Sequence, residues 1–150
     1  MTRSNELART SLDPRLAAAR EAAPVRPPRG WIRAIRDALG MRQEDLGRRL
    51  GVTKQAVLQM EASEAEGSIR LETLRRAAEA LDCTLVYALA PNSSLEDTVD
   101  RRAHAVAAGD VGRAQHTMLL EDQVGAADDA GRLVEEIAEQ LKSSPDLWRD

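Results

Sequence analysis

Along most of this 150-residue chain, apolar positions return every three or four residues, the rhythm that places them on one face of an α-helix. From Trp31 onward, Ile32, Ile35 and Leu39 share such a face, and Gly40 ends the helix. Leu46 and Leu50 follow at i, i+4, after which Gly51, a residue that tolerates positive φ, stops the helix and Val52 fills the corner. Thr53 is placed to cap the next helix, whose inner face carries Val57 and Met60, and Gly47 is small where the two helices must cross. A further stripe of Leu71, Leu74, Ala78 and Leu81 predicts a closing helix from Ile69 to Leu81.

The rhythm breaks at CTLVYALAP, where β-branched and aromatic residues predict a strand from Thr84 to Ala90. A strand alone has free N–H and C=O groups that invite the same strand of a second copy, which gives a two-fold homodimer. Helical spacing then resumes. Ser94 with Asp97 makes a capping signature for a helix to about Ala108, Asp110 can cap another from Val111 to about Gln123, and Leu133, Val134, Ile137 and Leu141 mark a last one from Asp129. Trp148 reads as an aromatic anchor in the tail. At the other end, Asp13 and Pro14 read as the cap and first position of a helix to Ala23. Pro24, Pro27 and Pro28 follow as an extended segment carrying Arg26 and Arg29, either a linker or an arm near phosphate. The expected fold is mainly α, in three regions: 1–29, an N-terminal helix and Pro/Arg-rich arm; 30–90, a helix-turn-helix domain with a short strand; and 91–150, a helical extension.

Composition narrows the function. Phe is absent and aromatics make up 2%, so the core is built from aliphatic residues that suit helices. Cys83 is the single cysteine, which excludes an intramolecular disulfide and fits a reducing cytoplasm. No run of about 18 apolar residues and no N-terminal apolar h-region is present, so neither a membrane span nor a secretory signal is expected. The net charge of -4 hides an asymmetry: residues 1–90 hold 15 basic and 12 acidic groups, whereas residues 91–150 hold 6 and 13. The first part can approach a polyanion and the second should avoid one. His104 and His116 fall on different predicted helices, and there is no Gly-rich phosphate loop or HExxH, so neither enzyme chemistry, a metal site nor a cofactor is expected.

An ordinary helical hairpin would satisfy the apolar spacing. The outward residues Lys54, Gln55, Ala56 and Gln59 say more: Gln pairs bidentately with adenine and Lys reaches guanine or phosphate, as reading a major groove requires. Gln43, Arg42 and Arg48, with Arg26, Arg29, Arg33 and Arg49, supply phosphate-facing groups. Two features oppose DNA affinity or firm folding. Arg42 stands where a Ser or Thr cap would serve the first helix of the motif, and Glu61, Glu64 and Glu66 fall beside or within a segment, Ala62 to Ser68, that reads as a loop near phosphates.

Arg36 to Leu81 resembles the helix-turn-helix of phage-repressor-like regulators of the XRE or Cro/C1 type. The likeness rests on Gln43, Gly47, Gly51, Val52, Thr53, Val57 and Met60 together, with Arg36 and Glu61 matching an Arg and Glu that pair across such domains. It implies a sequence-specific regulator whose two-fold dimer reads a palindromic operator in double-stranded DNA. GWIRAIRDALGM, EASEAEGSIRLETL, CTLVYALAP and HTMLLEDQ are similar to a narrower family, mobile mystery protein A, encoded beside proteins with a Fic domain. That resemblance implies an antitoxin and autorepressor with a Fic-domain partner. Inhibitory helices of Fic enzymes carry Ser or Thr, three residues, then Glu followed by Gly or Asn. Thr117 to Asp122 reads TMLLED, so Thr117 and Glu121 are the candidate inhibitory residues, with Asp122 departing from the pattern. The rival reading is a protein-interaction antitoxin in which the acidic segment Glu64 to Glu66 has abolished DNA affinity.

Overall fold

A computed structural model describes residues 2–120 and 127–149. Its described residues form seven helices: α1 Thr2–Ala22, α2 Trp31–Ala38, α3 Gln43–Leu50, α4 Lys54–Glu66, α5 Leu71–Ala80, α6 Leu95–Leu120 and α7 Ala127–Leu141. The chain divides into two compact units, residues 23–88 and residues 1–22 with 89–150.

The first unit encloses Ile32, Leu46, Val57, Ala77 and Leu81, one from each of α2 to α5 and the last from the cap that ends α5, with Ile35, Leu50, Met60 and Leu74 packed around them. The spacing that predicts these helices therefore also names their inner faces. Gly51 adopts φ 70° and caps α3, as its lack of Cβ allows. Gly47 is buried, and a Cβ there would stand 2.7 Å from the Val52 carbonyl oxygen, so the crossing beneath the turn admits no larger residue without a backbone shift. Leu39 and Leu71, expected on inner faces, lie at helix ends and are exposed.

The second unit is held by a narrower seam. Val99, Ala103 and Ala107 on α6 pack with Ala138 on α7 and with Leu147. Small residues at every fourth position let two helices approach closely. Leu147 is the anchor of the tail, and Trp148, expected in that role, is exposed.

Three expected elements are corrected. Helix α1 runs through Pro14, and Asp13 caps α6 instead of α1: its Oδ1 accepts from the Leu95 amide at 2.7 Å and its Oδ2 from that of Glu96 at 3.3 Å. A helix containing Pro loses one ladder bond, which this chain tolerates. The break expected between Ala108 and Val111, with Asp110 as a cap, is absent, and α6 runs through it. Asp110 pairs with Arg113 on the surface, and buried Val111 continues the stripe of Val99, Ala103 and Ala107. A helix-interior Gly costs only about 1 kcal/mol, which a continuous apolar seam outweighs. Ser94 does cap α6 as its spacing predicts, its Oγ accepting from the Asp97 amide at 2.9 Å. Finally, Thr84 to Ala90 is not a strand. A strand exists through its ladder, and these residues take part in no backbone hydrogen bond within the described chain.

Candidate nucleic-acid interface

The turn between α3 and α4 presents the face expected to read DNA. Thr53 caps α4, its hydroxyl accepting from the Ala56 amide at 3.1 Å, and is itself exposed. Beyond it Lys54, Gln55 and Gln59 are exposed, whereas Ala56 is half-buried. Gln55 and Gln59 make no side-chain hydrogen bond among the described residues, so both amides are free to meet base edges. Leu58, absent from the sequence-based set, lies on the same face and is exposed. Its i, i+3 and i, i+4 spacing from Gln55 and to Ala62 could have identified it.

The cations beside this face hold acidic partners. Lys54 Nζ lies 2.8 Å from Glu44 Oε1, and this hydrogen bond is the main cause that holds the Glu44 carboxyl below its ordinary value. Asp45 collects Arg42, at 3.4 Å, and Arg48. Its carboxyl is also lowered, first by the backbone N–H of Arg42 and next by Arg48. That N–H bond, 3.0 Å to Oδ2, supplies the helix cap which Arg42, having no acceptor, cannot provide. Exposed pairs of this kind are worth little in water, so phosphates can compete for the same cations.

Behind the face, ionic groups set the helix angles. Arg36 Nε donates to Glu61 Oε1 at 2.6 Å, and the other Glu61 oxygen accepts from Gln43 Nε2 at 2.9 Å. Arg36 and Glu61 are both buried, and the hydrogen bond that Arg36 donates to Glu61 is the main reason the Arg36 pKa is raised. A second Arg36 nitrogen bonds the Met41 carbonyl at 2.8 Å, so α2, the start of α3 and the middle of α4 are tied together. The Arg–Glu pair expected across the domain is thus present. Gln43, expected at phosphate, has its amide nitrogen committed to Glu61.

Glu64 gives the main correction. The segment expected as an acidic loop is helix as far as Glu66, and the Glu64 carboxylate is buried. One oxygen accepts from the Trp31 amide at 2.7 Å and the other from Ile32 at 2.9 Å. A carboxylate from α4 therefore caps α2, whose own cap position is Gly30 with no side chain to offer. Arg26 closes the C-terminus of α4, donating to the Ala65 carbonyl at 2.9 Å, and Arg49 donates to that of Ala80 at 3.1 Å. These two arginines, expected near phosphate, hold helix ends instead. Arg70, Arg75 and Arg76, which the sequence reading passed over, are exposed with no ion pair among the described residues.

Thr117 lies near the end of α6, exposed, its hydroxyl donating to the Arg113 carbonyl at 3.1 Å. Glu121 is outside the described residues. Among those residues no group of three or more His, Cys, Asp or Glu is placed to hold a metal ion, and no helix is long and apolar enough to cross a membrane.

No curated protein and no solved structure matches the chain. A family model described as helix-turn-helix matches residues 32–87, the segment from α2 through α5, and with the geometry above it suggests a DNA-binding regulator.

Proposed function

We propose that this protein is a sequence-specific transcriptional repressor that places α4 in the major groove, with Thr53, Lys54, Gln55 and Gln59 toward the bases. Arg42, Arg48 and the Gln43 end of α3 lie toward phosphates. The observation that carries this reading is the pair of exposed, uncommitted amides at Gln55 and Gln59, one turn apart on a helix that buried Arg36, Glu61 and Glu64 hold in place. Leu58 between them offers an apolar contact suited to a thymine methyl. The exposed Arg70, at the start of α5, and Arg75 and Arg76 within it add positive charge to the same unit.

The wider reading is an antitoxin and autorepressor, cytoplasmic and homodimeric on a palindromic operator, with a Fic-domain protein as partner of the acidic helices. It rests on the four sequence blocks that resemble the mobile mystery protein A family, and the inhibitory residues would be Thr117 and Glu121. The rival reading, an antitoxin without DNA affinity, invokes the acidic charge of Glu64 to Glu66; the use of Glu64 as the cap of α2 supports the DNA-binding reading over it, with Glu66 alone of the two exposed.

Selection of bound sequences from random duplex DNA tests the reading. The wild-type protein should enrich one motif, and Gln55→Ala should relax base preference at one position, at a cost of about 1–3 kcal/mol on the wild-type site. Enrichment unchanged by Gln55→Ala would remove that residue from the recognition set. For the partner, Glu121→Ala should release its activity and leave DNA binding intact; retained inhibition would refute the assignment.

A further inference from the structure

The segment after α5 is an anomaly in a chain that is 31% charged. From Cys83 to Pro91 it has no charged residue. Val86, Tyr87 and Leu89 are 84%, 67% and 88% exposed, and no amide or carbonyl from Thr84 to Ala90 takes part in a backbone hydrogen bond among the described residues. Exposed β-forming segments are normally protected by charge or by Pro within them, and here neither is present.

The order of the side chains indicates what covers them. Leu85 to Leu89 reads LVYAL, which reversed is LAYVL. In an antiparallel pair of identical strands, a two-fold axis at Tyr87 sets Leu85 opposite the other copy's Leu89, Val86 opposite Ala88, and Tyr87 opposite itself. Leu85, Tyr87 and Leu89 then form one continuous apolar face across both copies, with larger groups opposed to larger and smaller to smaller. A one-residue slip would destroy this match by turning side chains to the opposite face.

We propose that Thr84–Ala90 is the homodimer contact, ordering into a two-stranded antiparallel ribbon with the same segment of a second copy, in the register centred on Tyr87. This deepens the homodimeric repressor reading and rests on it. The segment is not a strand within one chain because its ladder partner is the other chain.

The test uses the full chain without DNA, so its outcome is independent of whether the protein reads DNA. Sedimentation equilibrium across a dilution series should show a mass twice that of the monomer at the higher concentrations. The double substitution Val86→Pro/Tyr87→Pro, which removes ladder donors in either hydrogen-bonding phase, should halve it while leaving the helical circular dichroism unchanged. Register is read by oxidation in a Cys83→Ser background. Tyr87→Cys should cross-link with itself, and Val86→Cys should cross-link with Ala88→Cys but not with itself, since directly opposed Cα atoms are about 5 Å apart, within disulfide reach. A wild-type protein that is monomeric throughout, a dimer indifferent to the prolines, or self-cross-linking of Val86→Cys equal to that of Tyr87→Cys would each overturn the proposal. Loss of sequence-specific DNA binding with this pattern intact would remove the repressor reading and leave the ribbon standing.

Discussion

The two units solve helix packing by different means. In residues 23–88 each helix is short, the core is small, and relative angles are fixed by buried ionic groups: Arg36 and Glu61 bind each other, Gln43 joins them, and Glu64 caps α2 from α4. In residues 1–22 and 89–150 a long helix packs through an alanine seam, and its ionic groups lie at the rim. Lys142 meets Asp100 at 2.9 Å, and His104 meets Glu135 at 3.0 Å. Directional buried bonds specify one arrangement, which suits the proposed presentation of Gln55 and Gln59 at a set angle. A seam of small residues specifies closeness, and leaves the long exposed flanks of α6 and α7 for other work.

The strongest way to break this comparison is Glu61→Ala, which takes from buried Arg36 its buried carboxylate partner, leaving it Asp37 at 2.7 Å and the Met41 carbonyl, and frees Gln43. It should destabilise the helix-turn-helix unit by about 3 kcal/mol, read by urea denaturation. A cost near that of a surface mutation would mean that the ionic tie does not hold α2, α3 and α4. Next in size, Gly47→Ala should cost about 1–3 kcal/mol, because the new methyl meets the Val52 carbonyl oxygen at 2.7 Å. Ala103→Leu should cost a similar amount in the other unit, yet leave DNA affinity unchanged; a shared loss of affinity would show that the units depend on each other. Thr53→Ala removes the cap of α4 and should cost about 1 kcal/mol, detectable in thermal melts.

The smallest effect sharpens the rim side of the comparison. The His104 pKa is raised, first by the hydrogen bond to the Asp100 carbonyl and then by Glu135. A raised value means that the folded state favours the charged ring. Its contribution is therefore fully present below the unfolded value near 6.5 and is lost as pH rises through the folded one. Wild-type protein should lose a small part of its thermal stability between about pH 6 and pH 8, and His104→Gln should flatten that change.

Much of the first unit was legible because its apolar residues follow one period and its ends carry local signals: Thr53 caps where it stands, and Gly51 turns where it stands. Interactions between helices were harder to read. Glu64 and Arg26 look like a loop charge and an arm charge until α4 is seen to run past α2, because nothing local says that a carboxylate will cap another helix. Asp13 is a second case, a local cap signal beside Pro14 whose carboxylate serves α6. Asp110 carries a local cap signal, whereas the stripe that carries the helix past it, from Val99 to Val111 at every fourth position, is a pattern of the whole helix. At the reading face, exposure of Gln55 and Gln59 followed from helical period alone, whereas the ion pairs of Lys54 and Arg48 depended on how α3 meets α4 and on the reach of Asp45.

The most direct measurement is fluorescence anisotropy of the protein on its selected DNA at two salt concentrations, with unrelated DNA as competitor. The account predicts tight binding that resists the competitor, a steep salt dependence from the phosphate contacts, and loss of discrimination in Gln55→Ala. Binding that unrelated DNA displaces equally well, or no binding at low salt, would contradict it.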